Sequence, residues 1–260
     1  MKRKIFVLLT VLLAALACEK NFQVEDTSSL TGDKAIELVE EDPDFLSSYV
    51  SGFYSWMVAQ LQNYDGHDDF GFLSCTMISD FMCADIAMGG GQHFGMYDYI
   101  HDYCQAEYVR SRQLWATFYT LVNNANSVID FFEPGVDPEN ATARGFLGQA
   151  YAIRAYSYFM LAQTFARTYV GHETEPCCPL YVEPTVAGTE GQPRSTVAQV
   201  YELIKNDIQK AVTLLDGTKQ QHISHISHAV ALGLQARIAL VMEDWTTAFN
   251  AATEAINSSS

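Results

Sequence analysis

The segment ARGFLGQAYAIRAYSYFMLAQTFAR, Ala143 to Arg167, decides the fold. It contains no proline, and its glycines lie only near its start. Stripes of sevenfold spacing run along it: Phe146, Ile153, Met160; Leu147, Arg154, Leu161; Tyr151, Tyr158, Phe165. A fourth stripe is small: Gly148, Ala155, Ala162. With 3.6 residues per turn, each set stays on roughly one face of a helix. A helix apolar on several faces is buried on several sides, and the small stripe admits a close neighbour. The segment therefore predicts the central helix of a helical stack. Arg154 interrupts one apolar stripe, and a buried guanidinium needs a partner. A carboxylate on a neighbouring helix is the expected one.

Working outward, the N-terminus sets the address. MKRKIFVLLTVLLAALAC has bases at Lys2, Arg3 and Lys4, an apolar run from Ile5 to Ala17, and then Cys18. That is an export signal, shorter than the ~18 to 20 apolar residues a spanning helix needs. Ala15-Leu16-Ala17-Cys18 resembles a bacterial lipobox, in which the cysteine becomes the first residue and carries the lipid. Residues 1–17 are thus expected to be a lipoprotein signal peptide and 18–31 a lipidated polar tether. Residues 32–260 form a helical domain. The net charge of −16 becomes more negative once the three bases leave. Such a surface repels nucleic acid and anionic lipid and suits neutral or cationic ligands. The five cysteines after Cys18 make an odd number and no disulfide framework, so mostly free thiols are expected. Adjacent Cys177 and Cys178 can pair only as a strained vicinal bridge.

Further helices follow from the same periodicity. Asp42-Pro43 opens one that carries Val50, Phe53, Tyr54 and Met57 and ends near Asn63, with Gly52 inside it at a cost of about 1 kcal/mol. A short helix is expected within Phe70 to Ile86. The next spans Arg112 to Phe132, with Asn123, Asn124 and Asn126 expected to bond nearby backbone. After the central helix comes a proline- and glycine-rich loop from Tyr169 to Pro193, long enough to suggest function or an interaction surface. Thr196 and Gln199 have capping-box spacing before a helix that Asp216-Gly217 closes. The last pair spans Ser227 to Val241 and Asp244 to Asn257. Its Ala236, Ala248 and Ala255 have the spacing of the small positions in a tetratricopeptide repeat. Trp245 and Phe249 are expected to plug that pair's core.

Two stretches offer metal ligands. Asn63, Asp65 and Asp69 lie in NYDGHDD and supply oxygens for calcium, without the distant bidentate Glu of an EF-hand. A solvated acidic turn is the default reading there. His222, His225 and His228 spread over about 120° of a helix, a poor arrangement for one ion. No other cofactor is implied. Between them, Ala87 to Gly95 is rich in glycine, with no dinucleotide or phosphate-loop pattern. Phe94, Tyr97, Tyr99, Tyr103 and Tyr108 follow, beside Asp98 and Asp102. Such rings stack on sugars or pin a loop to the body, and such carboxylates can bond sugar hydroxyls.

Taken in order, these elements resemble the SusD/RagB family of outer-membrane lipoproteins of Bacteroidota. The resemblance rests on the lipobox at Cys18, Val50–Tyr54 (VSGFY), Ser79-Asp80, and W-x3-Y-x3-N-x2-N at Trp115, Tyr119, Asn123 and Asn126. It continues through Arg144, Arg154-Ala155-Tyr156, Tyr158-Phe159 and Leu161, then Arg194, Thr196, Tyr201, Ile204, Asp207 and Ala211. Ala236-Arg237, Leu240, Asp244-Trp245 and Ala248 complete it. It implies an all-α fold, a tetratricopeptide-like superhelix with long irregular loops. It also implies a lipid-anchored protein on the outer membrane, facing outward. Such proteins take oligosaccharides, or in some branches peptides, to a TonB-dependent SusC-like transporter without catalysis. Arg154 and Asp207 become structural partners. Sugar contacts fall at Asp80, Asp85, His93, Phe94 and Tyr97, between the Ser-Asp element and the Trp115 helix. Members of the family are usually longer, so 32–260 is expected to be incomplete at its C-terminus. The competing reading is a helical-repeat adaptor, or a truncated member, with no glycan site.

Overall fold

The computed structural model describes residues 45–59, 66, 69–84, 86, 89, 95–102, 105–132 and 140–258. Among them the chain forms eight helices and no strand. In chain order these are α1 Phe45–Val58, α2 Phe72–Phe81, α3 Met96–Tyr99, α4 Val109–Phe132, α5 Ala141–Phe165, α6 Val197–Leu215, α7 His228–Val241 and α8 Trp245–Ser258. The fold class is all-α, as the periodicity and the resemblance imply. The segment expected to be central is α5, which packs against α1, α4, α6 and α7. An Asn140 side chain caps its start by accepting from the Ala143 backbone N–H.

The side chains of Phe146, Ile153, Leu147, Leu161, Tyr151 and Tyr158 are all buried, so every large stripe of α5 has a neighbour. Each such burial stabilises by roughly 1.5–3 kcal/mol. The small stripe does what its size allows. A Cβ added to Gly148 would stand 2.7 Å from Leu215 Cγ, so α6 approaches there as only glycine permits. Arg154 is buried and paired with Asp207 of α6, Nε to Oδ2 at 2.7 Å and Nη2 to Oδ1 at 2.8 Å. Burial alone would lower its pKa, but the hydrogen bonds and charge of Asp207 outweigh that and hold the guanidinium charged.

The capping box of α6 is present, with Gln199 N–H donating to Thr196 and the Gln199 side chain accepting from Thr196 N–H. Ser227 caps α7, and Asp244 caps α8 through Thr247. The α7–α8 pair closes on small residues, with Leu232, Ala236 and Ala251 buried together and Ala255 packed against them. Trp245 and Phe249 do not plug this core. They are 62 % and 72 % exposed. The alanines already fill the seam, so no room is left for two large rings. The other departures are at helix ends: α4 begins earlier than Arg112, and α1 ends at Val58 rather than near Asn63. Gly71 explains part of the second. At φ 77 it passes the end of α1, where a Cβ would strike the carbonyl oxygens of Met57 and Ala59.

Candidate functional site

The loop between α5 and α6 has almost no regular structure, yet it is fixed. Its backbone is held by side chains of α4 and α5. Tyr119 donates to the Pro179 carbonyl at 2.7 Å, and Asn126 Nδ2 donates to the carbonyls of Tyr181 and Glu183 at 2.9 and 3.0 Å. Asn123 Oδ1 accepts from both the backbone and hydroxyl of Thr185, and Tyr158 exchanges hydrogen bonds with Tyr181. Arg154 reaches the same layer, with Nη1 donating to Asn126 Oδ1 at 2.9 Å and the Val182 carbonyl at 3.3 Å. One buried guanidinium thus ties α4, α5, α6 and the loop together. Asn123 and Asn126 do bond backbone, but it is the backbone of this loop, about sixty residues away in sequence, and not a nearby stretch. Cys177 and Cys178 are both buried with sulfurs 3.8 Å apart, and Cys75 and Cys83 are also free thiols.

The sugar-contact residues expected from the resemblance lie around α2 and α3. Asp80 is exposed near the C-terminal end of α2, and Tyr97 is 44 % exposed on α3. The two ends meet because the Phe81 ring packs on the Gly95 backbone, where a Cβ would lie 2.6 Å from the ring. Asp85, His93 and Phe94 fall outside the described residues, as do Asn63, Asp65 and Cys18. Tyr99, Tyr108 and Ile86 are exposed in the same part of the chain.

Asp98 is not a surface acceptor for sugar hydroxyls. It is buried, and Arg110 Nε lies 2.8 Å from its Oδ1. Arg110 in turn donates to Gln113 at 3.0 Å. Gln113 Nε2 donates to Ser74 Oγ at 2.7 Å and lies 3.4 Å from Asp69 Oδ1. This buried polar chain joins α2, α3 and α4. It pulls Asp98 inward, and on the short α3 helix the adjacent Tyr97 consequently faces out. Asp69, one of the three calcium candidates, is part of this chain and is buried. Sequence periodicity does not reveal the network, because its links from Gln113 to Ser74 and Asp69 span 39 and 44 positions.

Among the described residues no group of three His, Cys, Asp or Glu is placed to hold a metal ion. The His222 and His225 rings lie with centroids 5.7 Å apart, but each of the three histidines has its own partner. His222 bonds Ser224, His225 stacks on Tyr54 with ring centroids 4.7 Å apart, and His228 lies 4.0 Å from Asp216. Burial, and secondarily His222, lowers the pKa of His225. No described helix is long and apolar enough to cross a membrane.

Comparison with known proteins now fixes the family. A SusD-like family, described as starch-binding and associating with the outer membrane, matches residues 82–240, more than half the chain. The protein belongs to this SusD-like family. Its fold is similar to a SusD-like carbohydrate-binding protein from Bacteroides vulgatus, with TM-score 0.72 and 20 % identity over 82 % of this chain and 44 % of that one. A SusD superfamily protein from Bacteroides thetaiotaomicron gives TM-score 0.63 and 23 % identity over 82 % and 45 %. A laminarin-binding SusD-like protein gives 0.59 and 18 % over 80 % and 42 %. The matched part of this chain therefore spans less than half the length of these solved structures. No curated protein matches it.

Proposed function

We propose that the protein is a nutrient-binding lipoprotein of the outer membrane that captures oligosaccharides and passes them to a TonB-dependent SusC-like transporter. The family match over residues 82–240 carries this reading. In this account Cys18 bears the lipid, the polar segment 18–31 is the tether, and the helical body faces the exterior. The protein binds and does not turn over its ligand. Asp80, Asp85, His93, Phe94 and Tyr97 contact sugar, with Tyr97 supplying an exposed ring for a pyranose face and Asp80 an acceptor for hydroxyls. The acidic balance of the chain favours neutral over anionic glycans.

Isothermal titration of the lipid-free mature chain tests the binding half. Neutral oligosaccharides are expected to release heat, and Tyr97→Ala is expected to weaken them. A second reading, a helical-repeat adaptor without a sugar site, is favoured by the exposed stripe Trp245, Phe249 and Ile256 on α8. No heat with any glycan, together with co-purification of a barrel protein, decides for the adaptor. Membrane fractionation tests the anchor: Cys18→Ala is expected to release the protein, and a variant that stays on membranes contradicts it.

A further inference from the structure

A cleft of about 320 Å³ opens between α4 and the loop that follows α5, and neither Asp80 nor Tyr97 is among its lining residues. Trp115, Tyr119 and Tyr181 line it with rings, and Asn123, Thr185 and Thr189 line it with amide and hydroxyl groups. Its walls are fixed by the hydrogen bonds that pin the loop, so the cavity exists before any ligand arrives. Trp115 is held from behind by Phe165, edge-on at 5.0 Å, and beside Tyr119 at 4.8 Å.

The polar groups around it retain hydrogens to give. Tyr181 Oη accepts from the Gln192 backbone N–H at 3.0 Å, and Thr189 Oγ1 accepts from Val186 N–H at 2.9 Å, which leaves each hydroxyl hydrogen for donation. Asn123 spends its Oδ1 on Thr185, but its Nδ2 reaches the Thr185 carbonyl only at 3.5 Å. Burial raises the Tyr119 pKa, so its phenol stays neutral and donates to Pro179. Among the lining residues there is no Asp, Glu, Lys, Arg or His.

We infer that this cleft is a second carbohydrate subsite that takes one neutral pyranose ring of a longer chain. The Trp115 and Tyr119 rings suit the C–H face of a sugar, and Tyr181 Oη, Thr189 Oγ1 and Asn123 Nδ2 are donors for its hydroxyl oxygens. The volume lies at the small end of ligand pockets, which suits one ring and not a disaccharide. A uronate or sugar phosphate would enter without a cation to meet it, and an amino sugar without an anion. The inference rests on the glycan reading above.

The test titrates the lipid-free mature chain and two variants with maltohexaose, laminarihexaose and an oligogalacturonate of the same length. Trp115→Ala removes the stacking ring. Val186→Trp adds bulk at the mouth, where Val186 is 75 % exposed and its replacement disturbs no packing. Both are expected to weaken a neutral hexasaccharide about tenfold, the scale of one ring contact, with Val186→Trp leaving the melting temperature unchanged. Wild-type affinity in the Val186→Trp variant overturns the subsite. If that affinity is lost in Tyr97→Ala instead, the glycan reading survives without it. Preference for the galacturonate also overturns it. A wild-type chain that binds no member of a wider neutral panel removes the glycan reading and the subsite together.

Discussion

The α5–α6 pair and the α7–α8 pair are built by the same rule and finished differently. Both are antiparallel helices joined along a seam of small residues, Gly148 in the first and Ala236, Ala248 and Ala251 in the second. In the first, large side chains on the remaining faces are covered by α1, α4 and the long loop, and a charge can be buried because Asp207 meets it. In the second, the large residues Trp245, Phe249 and Ile256 fall on one stripe of α8 and remain exposed. Apolar periodicity reports which face prefers to leave water. It does not report whether anything covers that face.

That contrast can be broken at its strongest point. Arg154→Met leaves Asp207 buried without its guanidinium and is expected to cost roughly 3–5 kcal/mol. Urea unfolding measures it, and Arg154→Met with Asp207→Leu is expected to recover most of the loss. Gly148→Ala drives a methyl against Leu215 and is expected to cost about 1–3 kcal/mol. The same glycine-to-alanine change at Gly52, which has open space around it, is expected to stabilise by up to about 1 kcal/mol.

His225 lies between the two pairs and gives a smaller effect. Its pKa is lowered by burial first and His222 second. At pH 7.5 it is neutral folded and unfolded. Below about pH 6.5 the unfolded chain takes up a proton that the folded ring resists, so stability falls with acid. His225→Phe keeps a ring against Tyr54, and its melting temperature is expected to fall less between pH 7.5 and 5.5 than that of the wild type. The smallest effect belongs to α8. Trp245→Ser with Phe249→Ser is expected to change stability by no more than about 0.5 kcal/mol per site. A loss of several kcal/mol would mean that those rings are covered in solution.

Much of this architecture was legible in the residues. The stripes of α5, the need of Arg154 for a carboxylate and the Thr196–Gln199 box all follow from spacing within a turn or two. The failures have a common cause. Trp245 and Phe249 stay out of a seam that alanines already fill. The inward turn of Asp98 depends on Arg110, which lies on another helix, and on a network that reaches Ser74 and Asp69. The cleft beside Trp115 draws half its wall from a loop about sixty residues downstream. Local periodicity carries no information about such pairings. The family pattern placed Asp207 beside Arg154 for a reason periodicity does not contain.

Capture of a fluorescent laminarihexaose or maltohexaose by intact cells addresses surface anchoring and sugar binding together. Cells displaying the wild-type protein are expected to retain label in proportion to its surface abundance. Cells producing Cys18→Ala at equal levels are expected to retain only background. Equal label on both, or background on both while the wild type is surface-exposed, would contradict a lipid-anchored glycan receptor.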